Sequence, residues 1–436
     1  MSGVVLSRRP DRRKRLPGNL WWSVLAVSAL VVALGAFSAW AEPWARGGVY
    51  LEDFRSYVAS GAAALNGEPL YEEGVSKLPM LGGTFKYTPF AAELFTGLSL
   101  VPEPLLPVVA LLVNLFALLT VVWLVLGRLG YARDHGRLAA TAALGVVGLL
   151  SQPVLLNATV GQVNMLLVLL VLGDVAGKGR RWSGIGIGLA AGIKLVPGIF
   201  VVYLLITRQF RAAAIAVGTF LATIAVGFAG LPRDSLRFWS PSLADQSRIT
   251  GDSAAVAENQ SLRGTLGRLL DVSEVPAAVW IPVTAVIAAA ALWTAWRAHR
   301  DGRDLLAVSV VGITMVLVSP WTWTHYWVWF APFTVMIIGA ALRFRSWPPT
   351  AAATTYVLLL FPWHIGTGRG GVPLVGLVIL PDHFPSWAQA PSHNLYVGIA
   401  LVLLAIAALR PEWLQPGWFR PETPAPATER EHALTC

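Results

Sequence analysis

Trp182–Ile206 reads WSGIGIGLAAGIKLVPGIFVVYLLI. Lys194 is its only charge, and its length suits one crossing, since a helix needs about 20 apolar residues to cover ~30 Å of hydrocarbon. The middle of the stretch argues against a straight helix. Gly192, Pro197 and Gly198 surround Lys194; proline removes a backbone donor and glycine loosens the helix, so a break there loses little. Broken backbone at membrane depth is tolerated where it lines a polar cavity. The flanking charges weigh the two paths. Basic residues mark the cytoplasmic side of short loops. If the stretch crosses once, 18 basic residues fall inside and 14 outside; if it goes in and returns, 22 fall inside and 10 outside. The returning path is the better reading. Its alternative is one tilted helix whose Lys194 snorkels to an interface.

Outward from this stretch the chain alternates apolar runs with short loops. Ten crossings are expected: Asn19–Trp40, Pro104–Leu126, Leu138–Leu156, Val160–Val175, Ala212–Leu231, Pro276–Trp296, Leu305–Pro320, His325–Leu342, Thr350–Trp363 and Leu395–Leu409. Val372–Leu380 is too short to cross and reads as an interfacial or re-entrant piece. Composition agrees. Only 13% of the 436 residues are charged, about half the share of an average soluble domain, which excludes a soluble multidomain enzyme. The excess of 33 Lys and Arg over 24 Asp and Glu then encodes orientation rather than nucleic-acid affinity. The only cysteine is Cys436, so no disulfide framework exists. The fold class is an all-α polytopic membrane protein, with about ten full crossings, a broken re-entrant helix pair and outer-face amphipathic helices.

The expected organisation is a basic cytoplasmic N-terminus (1–18), a single transmembrane domain (19–409) and a Pro-rich cytoplasmic tail (410–436). The domain carries a first outer loop at 42–103 and a second large one at 232–275. Polar and unusual residues concentrate on the outer side.

In the first outer loop, Phe54, Tyr57-Val58, Gly61 and Ala64-Leu65 fit an amphipathic helix lying on the membrane. Asp53 stands just ahead of it. It is either a helix cap or a carboxylate at the mouth of a membrane cavity, able to take a proton from a hydroxyl. Thr84-Phe85-Lys86-Tyr87-Thr88-Pro89 follows, and its lysine is either an interfacial anchor or a point charge for a lipid phosphate. Asn157-Ala-Thr-Val-Gly161-Gln162-Val163-Asn164 places amides at the start of an apolar helix, for interhelical bonding or for hydroxyl-rich ligands. Lys194 is costly at bilayer depth, ~2.5–3.5 kcal/mol on insertion scales, and so expects an anion. Glu258-Asn259-Gln260-Ser261-Leu262-Arg263 is a polar cluster without an apolar face. In Ser319-Pro320-Trp321-Thr322-Trp323-Thr324-His325-Tyr326, His325 is a bonded helix start, a proton donor or a phosphate ligand. No Walker loop, dinucleotide fingerprint, HExxH or Asp-x-Asp appears, so no metal and no cofactor is expected.

Six motifs in order resemble glycosyltransferase family 87, the polyprenyl-phosphate-mannose-dependent mannosyltransferases of actinobacteria. They are Asp53-Phe54-x-x-Tyr57 with Asn66-Gly67-x-Pro69-Leu70-Tyr71; Phe85-Lys86-Tyr87-x-Pro89; Gly161-Gln162-Val163-Asn164; Gly192-Ile193-Lys194-x-x-Pro197; Asn259-Gln260-Ser261; and Ser319-Pro320-x-x-Trp323-x-His325. Tyr326 stands where a second histidine would be expected. The resemblance implies a GT-C-type fold and transfer from a polyprenyl-phosphate-sugar donor to a glycolipid or glycan acceptor at the outer face of the plasma membrane. It implies Asp53 as general base; the charge of the departing phosphate needs preorganised cations, for which His325, placed in the catalytic set, stands with Lys86 and Lys194. Lys86 and Lys194 would hold the donor phosphate. Tyr57, Tyr87, Gln162, Asn164, Asn259, Gln260 and Trp323 would bind substrate. The rivals are a transporter or flippase of polyprenyl-linked sugars, and the same fold using another sugar such as arabinofuranose.

Overall fold

The computed structural model describes residues 51–71, 85–176, 181–240, 253–344, 346–362, 364–367, 373–378 and 385–415. The expected first crossing Asn19–Trp40, the basic N-terminus and the tail beyond 415 lie outside the described residues, as do parts of both large outer loops.

Helix α1 (Glu52–Asn66) and α2 (Pro89–Ser99) pack together ahead of the long α3 (Leu106–Arg128). Next come α4 (His135–Leu149), α5 (Gln152–Val160) and α6 (Asn164–Ala176). The broken stretch forms α7 (Ile185–Ile193) and α8 (Ile199–Ile206), followed by α9 (Phe210–Gly230) and α10 (Pro232–Trp239). The remainder is α11 (Leu262–Leu270), α12 (Ala277–Arg300), α13 (Asp304–Val318), α14 (Phe330–Phe344), α15 (Trp347–Leu360), α16 (Ser386–His393), α17 (Leu395–Leu409) and α18 (Pro411–Leu414).

Among the described residues four helical stretches are long and apolar enough to cross a membrane, and six if each of two bent pairs counts as one span. Large apolar side chains face outward on them: Phe116 is 65% exposed and Val286 69%. In water such surface would be a liability, whereas in lipid it is the expected exterior. The chain is a helical membrane protein.

The structure adds detail to two expectations. Leu138–Leu156 is not one straight crossing, because α4 and α5 meet at 81°. Ser151 is extended and Pro153 sits in the first turn of α5, where its missing N–H leaves no bond unmade. Within the Val372–Leu380 piece, whose ends lie outside the described residues, Pro373–Val375 form a short strand: β1 (His364–Thr367) pairs antiparallel with β2 (Pro373–Val375).

The Trp182–Ile206 stretch doubles back on itself. Gly184 lies against Ala212 and Ala216 at the start of α9, and Gly192 lies against Thr223 farther along it. Helices α7 and α9 therefore run in parallel. Since α8 ends just before α9 begins, α8 must return to the end where α7 started. The two arms also line one small pocket together, Ser183 and Gly184 on one side and Tyr203, Leu204 and Gln209 on the other. Close approach explains the glycines: a Cβ on Gly188 would sit 2.5 Å from the Ala216 carbonyl oxygen. Small residues let membrane helices pack at this range. The tip of the hairpin is Lys194.

Candidate active site

The site grows from the junction of α5 and α6. Helix α5 ends at Gly161 in the left-handed region (φ 72°), and a Cβ there would press on Phe54 at 2.4 Å. Phe54 thus seats α1 on this turn. Leu51 N–H donates to the Thr159 carbonyl at 2.9 Å, which fixes the start of α1 and with it Asp53. Asn157 cinches the junction: its Nδ2 donates to the Gln162 carbonyl (3.1 Å) and to Asn114 Oδ1 on α3 (2.6 Å). The capping role weighed for Asp53 falls to Leu51, which makes no side-chain cap bond. Asp53 lies inside the first turn, where a carboxylate meets the positive end of the helix dipole.

Tyr57, Tyr87 and Gln162 form a buried triangle beneath it. The two phenol oxygens are 2.7 Å apart, and each lies 2.9 Å from Gln162 Oε1. Burial holds both phenols well above their ordinary range, so they act as donors. With Oε1 turned to the phenols, the Gln162 amide nitrogen is left toward the Asp53 carboxylate, whose pKa the Gln162 side chain lowers.

The segment at Phe85–Thr88 docks on the hairpin tip through Thr88 Oγ1, which donates to the Gly192 carbonyl. Lys194 follows the end of α7 in extended backbone. Its Nζ donates to Asn164 Oδ1 at 3.0 Å and lies 3.6 Å from the centre of the Tyr326 ring and 5.6 Å from that of Tyr87. Asn164 Nδ2 in turn reaches the His325 carbonyl at 3.4 Å. The His325 ring stacks on Trp323 (7° between planes) and meets Tyr326 edge-on. His325 Nε2 is buried without a partner among the described residues.

Asp53 lies outside the membrane-spanning helices, and its pKa is raised to about 6. Loss of water around the carboxylate is the largest cause, and the adjacent Glu52 adds to it; the Gln162 bond, Lys194 and Lys86 pull the other way. Two lysines therefore act electrostatically on Asp53, from positions 86 and 194. A carboxylate poised near neutrality is what a general base requires.

The structure thus brings Asp53, Tyr57, Tyr87, Gln162, Asn164, Lys194, Trp323 and His325 into one contact chain, with Lys86 acting on it by charge. It does not bring the carboxamides of Asn259 and Gln260. Both residues are fully buried. Asn259 Oδ1 accepts from Thr322 N–H and its Nδ2 donates to the Ala254 carbonyl. Gln260 Oε1 accepts from Tyr396 N–H, and its Nε2 donates to the carbonyls of Ala257 and His393. These amides brace the loop against the Trp321–Trp327 turn, which corrects the expectation that they face a sugar. Tyr326 was missed as a contributor. Its ring completes the cage around Lys194, a pairing of distant positions that no local motif records. Among the described residues no three of His, Cys, Asp and Glu gather as metal ligands.

A carboxylate raised toward neutrality and acted on by a caged lysine, set among apolar helices, is the candidate active site. The family description "Glycosyltransferase family 87" matches residues 85–320. The chain is 29% identical over 422 residues (92% of this chain, 94% of the relative) to a polyprenol-phosphate-mannose-dependent alpha-(1-2)-phosphatidylinositol mannoside mannosyltransferase of Mycobacterium tuberculosis (strain ATCC 25618 / H37Rv). It is 33% identical over 396 residues (88% and 86%) to a polyprenol-phosphate-mannose-dependent alpha-(1-2)-phosphatidylinositol pentamannoside mannosyltransferase of Mycobacterium tuberculosis (strain CDC 1551 / Oshkosh). A pentamannoside mannosyltransferase of Mycolicibacterium smegmatis is 34% identical over 339 residues (75% and 78%). The chain belongs to glycosyltransferase family 87.

Proposed function

We propose that this glycosyltransferase moves mannose from a polyprenyl-phosphate-mannose donor to a phosphatidylinositol-mannoside-type glycolipid at the outer face of the plasma membrane. The observation that carries the reading is Asp53, a carboxylate raised toward neutrality by burial and held by Gln162, with Lys194 and Lys86 acting on it. The relatives' names supply donor and acceptor.

In the proposed step an acceptor hydroxyl attacks the anomeric carbon from the face opposite the phosphate. The new carbon–oxygen bond forms as the bond to the phosphate oxygen breaks. Asp53 takes the hydroxyl proton, and the polyprenyl phosphate departs with the bonding pair. A β-linked donor gives an α-linked product, without a covalent enzyme intermediate and without a metal. Negative charge accumulates on the departing phosphate, where fixed cations stabilise it most. Lys194 and Lys86 are assigned to it, with His325 supplying a ring nitrogen. Asn164 holds Lys194, and the Trp323 ring offers an aromatic face to the sugar. Tyr57, Tyr87 and Gln162 serve Asp53 rather than substrate. The architecture assigned to this chemistry is the GT-C fold: ten crossings with Trp182–Ile206 re-entrant, both termini cytoplasmic, and the loops at 42–103 and 232–275 on the outer side.

Purified protein incubated with polyprenyl-phosphate mannose and phosphatidylinositol mannosides in EDTA should release a product one hexose larger, joined by an α linkage. Mass spectrometry with linkage analysis reads both. A β-linked product, or transfer only from a different lipid-phosphate sugar, would overturn the reading.

A further inference from the structure

Two arginines lie on the nine-residue helix α11, and they are used differently. Arg268 is consumed by the fold. Its guanidinium donates to the carbonyls of Val256 (2.7 Å) and Asn259 (3.1 Å) and to Asn394 Oδ1 through both Nε and Nη2. Arg263, in the first turn, is only 8% exposed. Its Nε and Nη1 are buried and have no hydrogen-bond partner among the described residues. The Trp280 ring lies 6.0 Å from its guanidinium carbon, and among the described residues no carboxylate pairs with it. Burying a cation is costly unless an anion compensates, so a guanidinium held this way is built for a charge that the described residues do not supply.

The surroundings narrow the ligand. The start of α11 is stitched to the turn that carries His325. Ser261 Oγ meets the Pro320 carbonyl at 3.4 Å, Gln260 N–H donates to the Thr322 carbonyl at 2.8 Å, and Trp327 Nε1 donates to the Gln260 carbonyl at 3.2 Å. In that same turn Trp321, 4% exposed, has an indole N–H that is likewise buried and unpartnered. The unmatched groups of Arg263 and Trp321 are all N–H donors. Their complement is a group with several lone pairs, no proton to give and a negative charge. Carboxylates and phosphates fit that description, and the planar guanidinium fork matches either in bidentate fashion.

We propose that Arg263 anchors a lipid phosphate ester, held between the first turn of α11 and the Trp321 turn. This inference rests on the proposed function for its choice of phosphate over carboxylate, since donor and acceptor lipids there both carry a phosphate ester. Arg263 is distinct from the cations assigned to the departing phosphate, and it ties the second outer loop to substrate binding.

The test compares wild type, Arg263→Met and Arg263→Lys in detergent, reading the melting midpoint without added lipid and the affinities for polyprenyl phosphate and for phosphatidylinositol. Removing an uncompensated charge leaves the Arg263→Met midpoint at or above that of wild type. Its Kd for one of the two lipids rises roughly 30-fold or more, the range for losing one partner of a buried charged hydrogen bond, and Arg263→Lys falls between. A loss confined to polyprenyl phosphate assigns Arg263 to the donor side; a loss confined to phosphatidylinositol assigns it to the acceptor. Both affinities within about twofold of wild type, whatever the midpoint does, would overturn the proposal. If wild type binds these lipids through Arg263 yet forms no mannoside, the transferase reading falls and the anchor stands.

Discussion

Asp53→Asn should lower kcat for mannosyl transfer by about 10²- to 10⁴-fold, the usual contribution of a positioned general base. The substitution keeps the shape of the side chain and removes only its ability to accept a proton. Leu51 and Gly161 set the entry of α1 through backbone contacts, so the fold should persist, with an unchanged melting midpoint. Donor affinity should hold or improve, because a negative charge next to the phosphate site is gone. Measuring turnover and donor binding on the same preparation separates the two effects. Turnover within tenfold of wild type would remove Asp53 from the chemistry.

The second large effect is expected at Lys194. Lys194→Met retains the apolar stem and deletes the charge, and kcat/KM should fall by about 10²- to 10³-fold, the loss typical of removing one preorganised electrostatic stabiliser. Two contacts hold the ammonium in place, the Asn164 carboxamide and the Tyr326 ring, so a flexible replacement cannot recover the geometry. A second signature separates this role from packing. Lys194 holds the Asp53 pKa down, so its removal should move the acid limb of activity to higher pH. A normal kcat/KM with an unmoved limb would return Lys194 to the snorkelling alternative.

Much of this arrangement was legible because it violates local rules. A lysine, a proline and clustered glycines inside an apolar stretch announce broken backbone, and the hairpin at Trp182–Ile206 follows from them. The helix α1 reads directly from its periodicity, but its buried face is Phe54, Ser56, Tyr57, Ser60 and Gly61, and Leu65 of the expected apolar face is exposed. Asp53 was visible as an acid at a helix start. That it sits within the turn rather than capping it depends on Leu51 adopting φ 58°, which side-chain chemistry does not foretell. The kink between α4 and α5 was hidden because a proline in a helix's first turn and a proline breaking a helix look alike until the turn is located. Asn259 and Gln260 show the reverse error. Carboxamides in an outer loop suggest a sugar site, yet buried backbone must also find partners, and here it claimed both side chains entirely. The cage of Tyr326 around Lys194 and the unpaired Arg263 are tertiary facts, produced by packing of segments far apart in the chain.

The pH dependence of kcat/KM tests the central claim, that Asp53 is the base, most directly. The proposed donor is a phosphodiester and does not titrate near neutrality, so an acid limb reports the free enzyme. Asp53 is raised to about 6 and is competent only when ionised. Activity should therefore be full above that pH and fall about tenfold per unit below it, with one proton bound, and the residual activity of Asp53→Asn should show no such limb. A wild-type profile that stays flat down to pH 5, or a limb that persists unchanged in Asp53→Asn, would contradict the account.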